Sequence, residues 1–306
     1  MEQKLPRAEV TSRRKMSGGI LNIYKPVGFT SRQVVERIVT ILGSKAGHAG
    51  TLDPFARGVL IVCWGKATRF SSLFQSLPKV YRAWIRFGIS TDTYDVTGTI
   101  KEYSTGDLRE EQLSQILQKY QGAIVQKVPV FSACKYKGRS LHYYARKGLA
   151  VPELTKQVEI HSLQLAGCQE GKFGAAELLV ECSSGTYIRS LASELGNQLG
   201  LGAYLLALRR ERVGKFLLEE SLDVFDDSIT AASLQKRSFS IDEGLYWIPS
   251  LTVNKEAAMQ FKHGNILRNV PIESAGWYKV YWEDQFLGLG EGKKPFQLYP
   301  KIVLAE

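Results

Sequence analysis

A glycine-rich loop around one aspartate is the segment of this chain best suited to chemistry. It reads Gly47-His48-Ala49-Gly50-Thr51-Leu52-Asp53-Pro54. Proline after Asp53 disfavours the helical region for that residue, so we expect an extended backbone with a projecting carboxylate. The glycines permit tight turns and close approach of a ligand. The loop therefore holds either a functional carboxylate or a turn aspartate that accepts hydrogen bonds from nearby amides.

The charge around this loop is strongly biased. The chain carries 40 Lys+Arg against 30 Asp+Glu, a formal net charge of +10. Between Thr11 and Thr91 the only acids are Glu36 and Asp53. A one-sided basic field attracts polyanions, most commonly nucleic acid, and favours the ionised form of Asp53. The alternative is a solvated basic surface that only aids solubility.

Several function classes are excluded by motifs that the sequence lacks. It contains no G-x-x-x-x-G-K-[ST] loop, no G-x-G-x-x-G opening a helix and no G-x-S-x-G elbow. Its 4 cysteines form no C-x-x-C pair, and its 4 histidines lack metal-ligand spacing. No apolar run is long enough for a bilayer, and residues 1–17 do not resemble a secretory signal. We therefore expect a cytoplasmic protein without metal or membrane span.

Short elements on either side must position the loop. The sequence predicts a strand at Gly19–Tyr24, a turn at Lys25–Gly28 and a helix capped by Thr30 or Ser31 and stopped at Gly43. After the loop it predicts the strand Val59–Trp64. The aspartate is thus expected between a helix and a strand.

Strands and helices are mixed further along the chain. Lys79–Phe87 alternates, with Tyr81 on the apolar face and bases interleaved with Trp84 on the other, which suits RNA. We expect Lys79 and Arg82 to contact phosphates. Further helices and strands are predicted at Lys66–Leu77, Leu108–Tyr120, Leu141–Lys147, Val158–Leu165, Ala175–Cys182 and Thr186–Leu199.

This order favours an α+β fold, since no regular βα repeat appears. From about Pro249 onward the pattern is β-rich. Turns are predicted at His263–Asn265, Glu283–Asp284 and Gly288–Gly292. An acidic stretch from Phe216 marks the region before this small C-terminal module.

A series of motifs along the chain resembles a known family, the bacterial tRNA pseudouridine-55 synthases (the TruB family). The resemblance covers about Gly19 to Arg210, and the G-H-x-G-T-L-D-P run is its most specific part. One departure is Ala49, where relatives more often carry Thr or Gly. The matching motifs are Lys25-Pro26-x-Gly28-x-Thr30-Ser31, Gly47–Pro54, Lys79-x-Tyr81, Thr91-Asp92-Thr93, Val128-Pro129, Ser132-Ala133-x-Lys135-Tyr136-x-Gly138 and Ser184–Leu191.

The resemblance implies an isomerase acting on uridine 55 in the tRNA T arm. Such an enzyme cleaves the glycosidic bond, turns the uracil and rejoins it through C5, with no cofactor. By the motif match, Asp53 is the catalytic nucleophile. Tyr81 would lie against the target base and take part in proton transfer, and Arg189 would orient Asp53. Attack at C1′, addition to C6 and a glycal route all remain open.

The same resemblance implies a set of substrate-binding residues. His48 would displace bases of the T loop, because a stacked uridine must be extruded before it can react. Tyr187 and Leu208 would line the uracil pocket. Lys25 and Pro26 would shape the floor of the site and its phosphate contacts, and Gly50 would let the RNA approach closely.

The resemblance also implies an architecture and a partner. It implies a catalytic domain with a mixed, mainly antiparallel sheet and flanking helices (18–248) and a β-rich, PUA-like RNA-binding module (249–306). Residues 1–17 are expected to form a basic tail, which is longer than the family needs. The partner would be the T-arm stem-loop of tRNA, with no protein partner evident and a monomeric state. The alternatives are a non-catalytic tRNA-folding factor and a synthase acting on another RNA.

Overall fold

The computed structural model describes residues 17–294 and 296–304, so most of the expected basic tail lies outside the described residues. The part of the chain before the C-terminal module contains one large sheet and several small strands around it. These strands are β1 Gly18–Lys25, β2 Ala46–His48, β3 Arg57–Gly65, β4 Lys79–Phe87, β5 Ile89–Thr91, β6 Ile100–Tyr103, β7 Asp107–Leu108, β8 Gly122–Lys127, β9 Lys135–Tyr136, β10 Arg139–Ser140, β11 Thr155–Gln169, β12 Gly171–Lys172, β13 Ala175–Cys182, β14 Ala203–Val213, β15 Phe216–Leu217 and β16 Leu222–Asp223.

Helices cover this sheet and connect its strands. Three short 3-10 segments, Lys66–Phe70, Gln118–Tyr120 and Leu218–Glu220, accompany them. The α-helices of this part are α1 Ser31–Leu42, α2 Ser71–Gln75, α3 Glu110–Leu117, α4 Leu141–Arg146, α5 Ile188–Gln198, α6 Ala231–Arg237 and α7 Ile241–Gly244.

The large sheet has 10 strands in the main order β16-β1-β3-β14-β4-β13-β11-β8, with β2 and β15 attached to β3 and β14. Most neighbours are antiparallel; β14 with β3 and β1 with β16 are parallel. The predicted α+β class with a mainly antiparallel sheet is confirmed.

Helix α1 begins and ends where the sequence predicts. Thr30 caps its N-terminus in a capping box with Gln33, and Gly43 ends it in the left-handed region with φ 59°. The buried side chains of Val34 and Ile38 pack against β1 and β3. Because the start of α1 is anchored in this way, the Asp53 loop has a rigid neighbour.

Strand β14 lies at the centre of the sheet, although the sequence pattern does not predict it. Its pairing with β4 shifts register twice, between Leu205 and Ala207 and between Arg210 and Arg212. Such bulges break the two-residue alternation by which a strand is recognised. By contrast, β4 alternates strictly between buried and half-buried residues, as predicted.

A second sheet of five strands follows Pro249. It runs β17-β19-β20-β21-β18, with β17 Ser250–Thr252, β18 Leu267–Arg268, β19 Gly276–Trp282, β20 Gln285–Lys294 and β21 Gln297–Val303, and it packs with helix α8 Lys255–Lys262. The turn predicted at Gly288–Gly292 is wrong, because this segment lies inside β20. A Cβ on Gly288 would lie 1.9 Å from the Ile302 carbonyl oxygen, so glycine there permits close strand approach instead.

The five-stranded sheet shares a core with the large one. Leu289 belongs to the buried cluster that contains Phe70 and Phe74, and Ile302 packs against this cluster. The expected boundary at residues 248/249 stays a prediction. Within the described residues, no helix combines the length and apolar character that crossing a membrane requires.

Candidate active site

The loop that carries Asp53 is tied to the start of α1. Ser31 Oγ donates to the Leu52 carbonyl at 3.0 Å and accepts from the Leu52 amide at 2.9 Å. One residue beyond Asp53, the Pro54 carbonyl accepts from the Gly28 amide at 2.9 Å. Bonds on both sides therefore hold the aspartate backbone in place.

The Lys25 amine supports this loop from behind. It donates to the carbonyls of Phe29 at 2.6 Å, Pro26 at 2.9 Å and Pro54 at 3.4 Å, and the residue is 0% exposed. An ammonium with its three donors used inside the protein has none left for RNA. The Lys25 amine is therefore not free for the expected phosphate contact. Its bond to the Pro54 carbonyl joins Lys25 to the Asp53 loop, and the expected place of Pro26 in the floor of the site stays a prediction.

The Arg189 guanidinium binds both oxygens of the Asp53 carboxylate. Nε lies 3.0 Å from Oδ2, and Nη2 lies 3.3 Å from Oδ1. Arg189 is the second residue of α5, and its side chain is only 6% exposed. Because Asp53 keeps 35% of its side chain exposed, the carboxylate is fixed from one side and open from the other.

A second carboxylate, Asp95, holds the same guanidinium and was missed in the sequence. Its Oδ2 lies 3.3 Å from Arg189 Nη1, and its Oδ1 accepts from the hydroxyls of Thr93 and Thr97. The Thr93 and Phe131 carbonyls accept from the remaining Arg189 donors. The only available signal was the alternation of Thr and Asp in residues 91–97, which does not distinguish Asp92 from Asp95.

Two opposing effects set the pKa of Asp53. Burial raises it above 3.8 and is the largest cause, while the charge and hydrogen bonds of Arg189 lower it. Asp95 adds to the increase and Lys25 opposes it. The net direction is upward, so this carboxylate accepts a proton more readily than a solvated aspartate.

Asp53 opens into a cleft of about 1060 Å³. Its wall includes Tyr81 from β4, Leu208 from β14, and Tyr187 and Gly50, all of which the sequence analysis singled out. Tyr81 contributes an aromatic ring and Leu208 an aliphatic side chain to this wall, and the two residues are 8% and 5% exposed. An aromatic ring fits such a surface.

His48 does not line this cleft. It lies in β2 rather than in the loop, half-buried and paired with Val62. Burial lowers the pKa of His48, and the charge of Arg210 lowers it further, so both effects favour the neutral ring. Its Nδ1 is buried without a partner among the described residues.

The outer face of β4 is not the free basic surface that we expected. Arg82 contacts Glu177 at 2.5 Å and Glu211 at 3.0 Å, and the Trp84 indole donates to Glu177. These carboxylates come from β13 and β14, which the topology places on either side of β4. Neighbouring strands therefore supply two carboxylate partners for Arg82, and its expected phosphate contact stays a prediction.

Among residues 17–294 and 296–304, no group of three or more His, Cys, Asp or Glu side chains could hold a metal ion. The side chains around Asp53 thus offer a positioned carboxylate, two tyrosines and an apolar wall. Such a set can supply a nucleophile and hold a planar base beside it.

Comparisons with known proteins agree with this arrangement. The model of the TruB family pseudouridylate synthase N-terminal domain matches residues 37–188, and that of the pseudouridine synthase II TruB C-terminal domain matches residues 249–304. A tRNA pseudouridine synthase B of Aquifex aeolicus is 39% identical over 90% of this chain and 96% of its own. That of Chromobacterium violaceum is 38% identical over 96% of this chain and 97% of its own.

Solved structures agree with the fold. A chain from a crystal structure of a Cbf5-Nop10-Gar1 complex superposes with a TM-score of 0.70 and 25% identity, over 93% of this chain and 84% of that one. A chain of an H/ACA RNP bound to a substrate RNA gives 0.69 at 24% identity, over 94% and 85%. With both family models matched and relatives similar over nearly the whole length, the chain belongs to the TruB family of pseudouridylate synthases, which are isomerases.

Proposed function

We propose that this protein converts uridine 55 in the T arm of tRNA to pseudouridine, with Asp53 as the nucleophile. The supporting observation is the Asp53 carboxylate, bound at two points by Arg189 and open to a cleft of about 1060 Å³ that is large enough to admit an extruded nucleotide. The curated relatives are tRNA pseudouridine synthases, which makes tRNA the substrate class. The reaction breaks the N1–C1′ bond and forms a C5–C1′ bond; a proton leaves C5 and N1 gains one.

We infer a role in this reaction for each side chain singled out in the cleft. Tyr81, Tyr187 and Leu208 line the same cleft as Asp53, and we assign them to holding the extruded uracil. Arg189 keeps the carboxylate pointed at the nucleotide. His48 ends β2 immediately before the Asp53 loop, and we assign it to displacing bases of the T loop. The Asp53 position is compatible with attack at C1′, addition to C6 and a glycal route.

The proposal is tested by mapping pseudouridine in RNA treated with the purified protein. A T-arm stem-loop should be modified at the single uridine that corresponds to position 55. The same hairpin with cytidine there should remain unmodified, and a full tRNA should react at the same position. Modification of an unrelated stem-loop at equal rate would contradict the assigned substrate.

We further propose that residues 18–248 perform the chemistry and that residues 249–306 extend the contact with RNA. The candidate catalytic side chains all precede Pro249, and a separate family model matches residues 249–304. Because Leu289 is buried in the core shared with the large sheet, this module should be tested by surface substitutions rather than deletion. The protein is proposed to act as a cytoplasmic monomer.

The raised pKa of Asp53 predicts how the rate depends on pH. Only the ionised carboxylate is a nucleophile, so activity is present above its pKa and lost as the pH falls through it. Because burial raises this pKa above 3.8, the loss should begin at a higher pH than a solvated aspartate would give. Single-turnover rates on the hairpin, with circular dichroism recorded at each pH, would measure it. A rate that stays flat until the protein unfolds would contradict the role of Asp53.

A further inference from the structure

Three cationic side chains from three strands line the same cleft as Asp53: Lys79 at the start of β4, Lys156 in β11 and Arg210 in β14. Lys79 and Arg210 are 5% and 1% exposed, whereas Lys156 is exposed. Arg210 donates to the carbonyls of Val59 at 2.6 Å and Gly50 at 3.1 Å. Lys79 donates to the carbonyls of Gln75 and Leu77. Both buried cations are thus held by neutral acceptors.

No carboxylate neutralises this cluster in the part of the chain that the structure describes. Among the described residues that line the cleft, the ion pairs are those of Arg189 with Asp53 and Asp95. Burying a charge without a counter-ion is costly. Burial lowers the pKa of Lys79 to about 8, and the charges of Arg210 and Lys156 add to that decrease. The cluster therefore lacks an anion that would stabilise it.

The backbone around Lys156, the exposed cation of this cluster, leaves room for its amine. A Cβ on Gly185 would lie 1.7 Å from Lys156 Nζ, so the amine occupies the space that a side chain would fill. Gly185 has φ +84°, a conformation that glycine adopts without strain. Its neighbours Ser184 and Thr186 also line the cleft and offer hydroxyl groups. Cations and hydroxyls together form a typical environment for a phosphate.

We propose that Lys79, Lys156 and Arg210 form a subsite for one backbone phosphate of the RNA beside the extruded uridine. The inference rests on the proposed function, since it assumes that RNA enters this cleft. Lys156 contacts the phosphate directly. The buried charges of Lys79 and Arg210 attract it from below, without a carboxylate to oppose them. The subsite fixes the register of the flipped nucleotide over Asp53.

Lys156→Gln tests the subsite, because its exposed side chain can be changed without disturbing the core. We expect about tenfold weaker binding of the T-arm hairpin, and a salt dependence of log K reduced by ~0.7–0.9, as for one lost phosphate contact. Lys156→Arg should restore both. Lys101→Gln, an exposed lysine of β6 that does not line the cleft, is the matched control and should change neither by this amount. Equal slopes for Lys156→Gln and wild type would overturn the inference.

Replacing single RNA phosphates by uncharged methylphosphonates shows which phosphate Lys156 contacts. In hairpins with a single methylphosphonate, one position flanking the target uridine should weaken wild-type binding but have little further effect in Lys156→Gln. Additive losses at every flanking position would contradict the subsite. Pseudouridine formation by the wild type on the same hairpin is measured separately. If no pseudouridine forms but the methylphosphonate effect is still lost in Lys156→Gln, the proposed activity is wrong and the phosphate subsite is supported. If pseudouridine forms normally but the methylphosphonate effect is the same in Lys156→Gln and wild type, the activity is supported and the subsite is wrong.

Discussion

Asp53→Asn is expected to abolish pseudouridine formation while leaving RNA binding intact. The amide has nearly the size of the carboxylate but is a very poor nucleophile, so the loss should exceed the roughly 10²–10⁴-fold that one proton-transfer group contributes. Binding should survive and even tighten slightly, because a negative charge facing the RNA is removed. Single-turnover conversion of the T-arm hairpin, with binding measured in parallel, tests both parts.

Asp107→Asn is the matched control for this experiment. Asp107 is an exposed aspartate that contacts Arg109 at 3.8 Å and does not line the cleft, so its change to asparagine should leave conversion unaffected. Conversion by Asp53→Asn at the parental rate would refute the role of Asp53. An RNA-folding activity without chemistry would then be the better interpretation of the cleft.

Arg189→Lys is expected to give the second-largest effect, a large but incomplete loss of rate. Lysine keeps the charge but cannot bind both oxygens of Asp53 in one plane while also reaching Asp95. A misplaced nucleophile of this kind costs on the order of 10²-fold in rate. The buried hydrogen bonds that are lost should also lower the free energy of unfolding by about 1–3 kcal/mol. Rates at saturating hairpin and thermal melts measure the two effects separately.

Arg212→Lys serves as the comparison for Arg189→Lys. Arg212 pairs with Glu181 at 2.7 Å, and both side chains are more than one-third exposed, so a lysine there keeps most of a weak surface ion pair. Rate and melting temperature should stay near wild type. If Arg189→Lys converted RNA as fast as Arg212→Lys, Arg189 would not position the nucleophile.

Local signals in the sequence were enough for the elements next to the site. Thr30, Gly43 and the apolar spacing of α1 predict that helix, because capping and periodicity act within a few residues. The alternation in β4 places Tyr81 on the buried face in the same way. The Asp53 loop was recognised from its glycines and Pro54, and the pairing of Asp53 with Arg189 came from the motif resemblance.

Local sequence signals of this kind do not predict contacts between segments that are far apart in the chain. The sequence alone showed which residue types could act: an aspartate in a glycine loop, a tyrosine on a buried strand face and an excess of bases. Only the tertiary structure decided which charged side chains bind partners inside the protein, as with Lys25 and Arg82, and which are exposed in the cleft, as with Lys156. The physical reason is that the environment of a long charged side chain depends on partners far along the chain. Asp53 and Arg189, 136 residues apart, become one unit only when the sheet and α5 are assembled.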